Sequence, residues 1–367
     1  MNHLSVTKFG QFCLAFTLTT ASGFVGLQAQ VPADSYPSAI NEPDKALDPA
    51  EAQARQDWRK TMHALPAPSS GCFHASFPNT QWEEAKCEAP SVYRSVPPTG
   101  IGPLTAGNSF EYVAQAPTGH HFSSVLGEFP AGQDVKSEKD DGEKNDYSLQ
   151  LNTNFDFNSP ACDGYSGCAA WQQYLLVTNY FAFGAKGPSG KSETFIQDWL
   201  LNYGVHNGRN ICPAGFTDTG EQKGGTGDNC ARNSKAVVVY NGQIPITDLG
   251  DLALGGIAQH GGNDEVVTFF GKDAFKVSTP DKLTDISTGW SQAEFNVVGN
   301  GGGSQAAFNN GAELLVALLL DYGSSSTPKC EPPTKHFGTT AETNNLNLGA
   351  CIAKGGKSPY IEFEEGN

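Results

Sequence analysis

From residue 71 onward, glycine, proline, asparagine and aspartate cut the chain into short runs of β-forming residues, and this punctuation leaves few folds open. Runs at 73–77, 109–113, 147–155, 172–179, 194–202, 236–240, 265–270, 292–298, 313–321 and 359–363 are rich in aromatic or β-branched residues, or alternate polar with apolar. Many short strands with frequent turns predict an all-β fold, a sandwich or jelly roll. We place it in one domain, 69–367, with long decorated loops. The run 314–320 is almost purely apolar, a pattern that suits a buried helix as well as a strand. Asp321-Tyr322-Gly323 ends it so soon that a strand buried on both faces is expected. Residues 134–146 read as a charge-dense loop, and 186–191 and 222–229 as glycine-rich loops.

The ends and the cysteines point to export. Lys8 supplies a positive charge, 9–25 is mostly apolar or small, and Leu27-Gln28-Ala29 has the small-residue ending of a cleavage site. Residues 1–29 are therefore expected to be a signal peptide and 30–68 a linker with a helical extension. Cys13 leaves with the signal. The other eight, Cys72, Cys87, Cys162, Cys168, Cys212, Cys230, Cys330 and Cys351, fall in four close sequential pairs, which predicts four disulfides between neighbours. No pair has Cys-x-x-Cys spacing and no histidine sits at ligand spacing beside them, which argues against zinc. No metal and no cofactor are expected. The formal charge is −16, the pI near 4.8, and there is no basic stripe. Phosphate neutralisation needs clustered Lys and Arg, so nucleic acid is not expected as a partner. Nothing after the signal is long and apolar enough to span a bilayer. A secreted monomer, extracellular or periplasmic, is the expectation.

One helix is legible. Asp48 is an N-cap, Pro49 fits the first helical position, and Glu51 completes a capping-box-like arrangement. The helix should run through Ala52, Ala54, Trp58 and Met62 to about Ala64 and stop at Pro66 and Pro68. It reads equally as a pro-segment covering a cleft and as a plain extension. Several motifs fail on spacing. Gly184 to Gly190-Lys191-Ser192 leaves five residues where a phosphate loop needs four. Gly299-Asn300-Gly301-Gly302-Gly303 leads into Gln305-Ala306-Ala307-Phe308, which reads as a hairpin. His120-His121 reads as a surface turn, and Asp140, Asp141 and Asp146 do not match a known calcium loop.

The chemistry-bearing segments are 171–177 and 291–298. In the second, Ala293, Phe295 and Val297 share one strand face, and Glu294, Asn296 and Val298 the other. In the first, Trp171, Gln173 and Leu175 share one face, and Gln172, Tyr174 and Leu176 the other, so only one glutamine can look into a shared cleft. The stretch Ala293-Glu294-Phe295-Asn296-Val297, followed by Ala307-Phe308 and a long apolar strand, resembles the region around the catalytic glutamate of the glutamic peptidases of fungi and bacteria (the eqolisins). Upstream, Tyr147-Ser148-Leu149-Gln150-Leu151, then Cys162, then Trp171-Gln172-Gln173, is similar to that family's strand, Cys-bearing loop and Gln-bearing strand. The likeness spans 147–320, and the plant neprosins are a more distant one. The chain departs in having Phe for Trp and Asn for Ile after the glutamate, and 195–200 where the family has Tyr-Glu-Trp-Tyr-Pro.

The resemblance implies a concanavalin A-like β-sandwich and an endopeptidase. Glu294 would be the general base and Gln173, or else Gln172, the oxyanion donor. Trp171, Trp199, Asn296 and Asp198 are the expected substrate contacts, and a polypeptide the substrate. A glutamate can take a proton from water, and a glutamine amide can donate to the tetrahedral oxyanion. Other readings stay open. One is a lectin-like sandwich that stacks glycans on Trp82, Trp171, Trp199 or Trp290. A second is a glycosidase pairing Glu294 with Asp198 or Glu313, and a third a non-catalytic envelope protein.

Overall fold

In a computed structural model, the structure describes residues 47–89, 110–179, 189–333 and 342–367. The expected signal and the spacer up to residue 46 lie outside the described residues. The fold is an all-β sandwich. One antiparallel sheet runs, edge to edge, through Glu83–Glu84, Gly71–Ser76, Asp273–Pro280, Asn263–Phe270, Leu252–Ala258, Ser124–Gln133, Glu313–Asp321, Tyr360–Gly366 and Asn347–Lys354. We call it the helix-side sheet. The facing antiparallel sheet runs through Thr217–Glu221, Asp228–Asn233, Ser192–Tyr203, Ala169–Val177, Tyr147–Thr153, Gln292–Gly299, Val113–Gln115 and Lys329–Glu331, and Val237–Tyr240 also pairs with Ser192–Tyr203. We call it the amide sheet. The main core lies between the two, where Leu149, Leu151, Tyr174, Leu176, Ile196, Phe295 and Val297 meet Val125, Leu254, Val266, Val277, Val316 and Leu318.

Two aromatic rings set the approach of the sheets. Phe295 of the amide sheet lies over Gly127, where an added Cβ would come within 2.2 Å of the ring. Tyr174 lies likewise over Gly256, at 2.4 Å. Close packing leaves no room for a methyl group at either glycine. Because side chains alternate along a strand, the neighbours Glu294 and Gln173 then point away from the core.

The strand at 314–320 is a strand, Glu313–Asp321, as its abrupt ending predicted. Central strands of the helix-side sheet escaped the sequence reading for local reasons. Ser124–Gln133 contains Pro130, and Leu252–Ala258 contains Gly255 and Gly256. The register with Glu313–Asp321 slips between Leu315 and Ala317, so Phe129 and Pro130 together oppose Val316. Proline is tolerated at such a bulge because no ladder hydrogen bond is required of it. The charge-dense loop is also a correction. It contains the strands Glu138–Asp140 and Glu143–Lys144, joined by Asp141 and Gly142 at φ 48° and 91°. That is the Asp-Gly turn of a tight hairpin. Gln305–Phe308 does not form a hairpin with Gln292–Gly299, as expected from the glycine run. It pairs with Glu138–Asp140 and Thr343–Asn344 in a small separate sheet.

The helix is Pro49–Ala64, and the Asp48 side chain accepts from the Ala50 amide at 2.8 Å. Glu51 bonds Arg55 at 2.7 Å in place of the expected reach back to the cap. Trp58 and Met62 pack on Ala75, Leu126, Ala253, Val267, Phe269 and Ala274, the outer side of the helix-side sheet. The helix therefore does not cover the Glu294 face, which belongs to the other sheet. All four expected disulfides are present: Cys72–Cys87, Cys162–Cys168, Cys212–Cys230 and Cys330–Cys351. They fit an oxidising compartment. No helix among the described residues is long and apolar enough to cross a membrane.

Candidate functional site

The register of the amide sheet aligns Val113, Glu294, Asn152, Gln173, Gln197 and Asn233 in one row across the face turned away from the core. Gln173 and Glu294, from segments far apart in sequence, are thus brought to one face with a single strand between them. Cross-strand spacing of about 4.8 Å puts their backbones about 10 Å apart, a gap that two long side chains and one asparagine can close. Gln173 Nε2 donates to Asn152 Oδ1 at 2.8 Å, and Asn152 Nδ2 donates to Glu294 Oε2 at 3.4 Å. The row continues with Gln197 Nε2 donating to Asn233 Oδ1 at 2.8 Å. Gln173, Asn152 and Glu294 are each no more than 1% exposed. A buried polar group must find partners to offset lost hydration, so the amides have organised into a chain of donors and acceptors.

The other expected site residues fall elsewhere. Gln172 points to the opposite face, where its Nε2 donates to Asp198 Oδ1 and Asp264 Oδ2, both at 2.9 Å. Asp198 is therefore separated from Glu294 by the thickness of the sheet, and it is ion-paired to Arg232 at 3.0 Å. Burial still holds the Asp198 carboxyl above its usual range, and burial with the nearby Asp281 pushes Asp264 well above it. This second cluster ties the two sheets together at one end. Trp171 and Trp199 share the face of Gln173 but are fully buried, packed with Phe155. The Trp171 indole donates to the Thr153 carbonyl at 3.0 Å, and that of Trp199 to Gln197 Oε1 at 2.8 Å. They wall the row and offer no face to solvent. Asn296 lies beyond the end of Val113–Gln115 pairing, and its amide donates to Glu365 Oε2 at 2.9 Å. Burial pushes the Glu365 carboxyl up to about 7, against the pull of Asn296 and Asn344.

Geometry bears on the other readings too. Of the four tryptophans considered for glycan stacking, Trp171, Trp199 and Trp290 are fully buried, and Trp82 is half-buried beneath Lys276. Glu313 sits on the helix-side sheet, so neither it nor Asp198 forms a carboxylate pair with Glu294. An open groove of about 980 Å³ exists, but it lies on the helix-side sheet, lined by His63, Leu126, Ile257, Leu319 and Lys357. It is remote from the amide row.

Asn152 and Gln197 were missed by reading the two segments alone. The signal was present, since Tyr147–Thr153 alternates Tyr, Leu and Leu with Ser, Gln and Asn. A strand that alternates core residues with amides presents an amide face. No family model, no curated protein and no solved structure matches this chain.

Proposed function

We propose that the chain is an exported endopeptidase of the glutamic-peptidase kind, with Glu294 as general base and Gln173 as oxyanion donor. One observation carries this reading: an acid and a glutamine amide lie on one sheet face, joined through Asn152. In the reaction, Glu294 takes a proton from water as the water oxygen bonds to the scissile carbonyl carbon. The carbonyl π pair moves onto oxygen, where the Gln173 N–H stabilises it. Collapse of the tetrahedral intermediate breaks the C–N bond, and Glu294 returns its proton to the leaving amine. An acid and an amine are released and the glutamate is ionised again. The row is closed to solvent in this conformation. The reading therefore entails an opening of the face before a polypeptide reaches it.

The test is direct. Full-length protein from an exporting host is incubated with a reduced, unfolded protein at acid pH, and fragments are read by mass spectrometry. Cleavage is expected, and is expected to be lost in Glu294→Gln. Fragments that persist undiminished in that variant, or no fragments from the parent chain, end the proposal.

A further inference from the structure

The hydrogen-bond chain through the row has a fixed polarity, and its two ends differ. At one end Ser148 Oγ donates to the Gly299 carbonyl at 2.8 Å, and Gln150 Nε2 donates to Ser148 Oγ at 3.1 Å. A backbone carbonyl only accepts, so this end turns Gln150 Oε1 toward Gln173, 3.4 Å from its Nε2. At the other end stands Glu294. Ionised, it only accepts, which turns Asn152 Nδ2 toward it and Asn152 Oδ1 toward Gln173. Gln173 then sits between two acceptors, and both its N–H groups point into the chain. Its Oε1, fully buried, accepts no hydrogen bond. In that arrangement the amide offers a reacting carbonyl the wrong end.

A proton on Glu294 reverses one end. The carboxylic O–H now donates to Asn152 Oδ1, so Asn152 Nδ2 faces Gln173 and donates to its Oε1. That satisfies the buried oxygen and releases a Gln173 N–H. Rotation about the terminal torsion of Asn or Gln is soft and two-fold, so neither turn needs backbone movement. The charged side chains on this face in the described strands are Glu331 and Lys329, two strands beyond Glu294, and Glu193, three strands away on the other side. Nearer to it, Glu365 of the helix-side sheet meets Asn296, and the buried Glu111 precedes Val113, the register partner of Glu294. None of them stands between Glu294 and Asn152.

We propose that Asn152 is a positioning residue that reads the proton on Glu294 and turns the Gln173 amide to match. The inference rests on the amide–acid reading for its purpose, and it ties the oxyanion donor to the same proton that the base removes from water. In the resting state the donor is withdrawn; once Glu294 has taken the proton, the donor is presented.

The test reads the amide itself and does not need turnover. Side-chain amide resonances are recorded on the ¹⁵N-labelled full chain, with those of Gln173 identified by their loss in Gln173→Glu. Glu294→Gln supplies an N–H donor where the protonated acid would have one. The Gln173 resonances are expected to shift in that variant. The same substitution made in an Asn152→Leu background is expected to leave them unmoved. Should Asn152→Leu not fold, Asn152→Ala, which also lacks the amide, serves by the same criterion. An unmoved Gln173 amide in Glu294→Gln overturns the proposal, and so does an equal shift with Asn152 replaced. Loss of Glu294-dependent cleavage with the relay intact would instead remove the peptidase reading alone.

Discussion

Gln172 and Gln173 are chemically identical neighbours, and strand alternation gives them different work. Gln173 belongs to the row with Asn152 and Glu294. Gln172 is the shared donor between Asp198 and Asp264. Replacing each by leucine should therefore separate the two by turnover, since only Gln173 belongs to the proposed catalytic row. Gln173→Leu removes the proposed oxyanion donor and leaves the buried Asn152 Oδ1 and Gln150 Oε1 without it, so it is expected to cost about 1–3 kcal/mol in stability and to lower kcat of the folded fraction by about 10²–10³. Gln172→Leu strips a donor from two buried carboxyls, and is expected to cost about 1–3 kcal/mol in urea unfolding with turnover of the folded fraction unchanged. Equal effects of the two substitutions on turnover would contradict the assignment.

At the scale of elements, the position of the amide row is set from the core side of its sheet. Phe295 locks Gln292–Gly299 over Gly127, and Tyr174 locks Ala169–Val177 over Gly256. Each ring is the chain neighbour of a site residue. Gly127→Ala would force the Phe295 ring or the strand to move, because the added carbon meets ring atoms and not the end of a flexible chain. Overpacking of this kind is expected to cost about 1–3 kcal/mol, read as a lower urea midpoint at unchanged slope. A Gly127→Ala protein as stable as the parent would show that the sheets are not held at this separation by that contact. Across the opposite face, Trp58 and Met62 anchor the helix, and Arg59 donates to the Asp251 and Gly271 carbonyls, both at 3.2 Å.

The whole molecule carries many acids under cover. Burial raises Glu128 and Glu138 to about 8, and Glu193 and Glu365 to about 7. A neighbouring Asp140 adds to the effect on Glu138, while Arg59 only partly opposes it on Glu128. Unfolded, such groups would titrate near 4.3, so between that pH and about 8 the folded chain holds more protons. Stability is then greatest toward the acid end of the window and is lost as pH rises through 7–8. His63 works the other way. Burial lowers it to about 3, so the unfolded chain alone takes up that proton below pH 6.5, and this contribution is lost as pH falls. With these four carboxyls, and Asp198 and Asp264 raised by burial as well, against one imidazole, the midpoint of thermal unfolding should rise as pH is lowered from 8 to about 5. Glu128→Gln, which keeps shape but cannot ionise, should flatten part of that rise. A midpoint that is flat or increases toward pH 8 would refute this account.

What the chain determined locally could be read from it directly. The cap at Asp48, the strand at Glu313–Asp321, the four neighbour-paired disulfides and the two-faced alternation around Glu294 and Gln173 all rest on residues close in sequence. Other features depended on register between distant strands. Alternation says which residues share a face, but not which strand lies beside which. Only the tertiary pairing put Tyr147–Thr153 between the two segments, and so supplied Asn152 as the bridge. Only packing decided that Trp171 and Trp199 are walls, that Asp198 belongs to another cluster, and that the helix covers the far sheet. Hydrogen-bonding and hydrophobic preferences are properties of a residue, whereas proximity is a property of the folded chain, and this site is made by proximity.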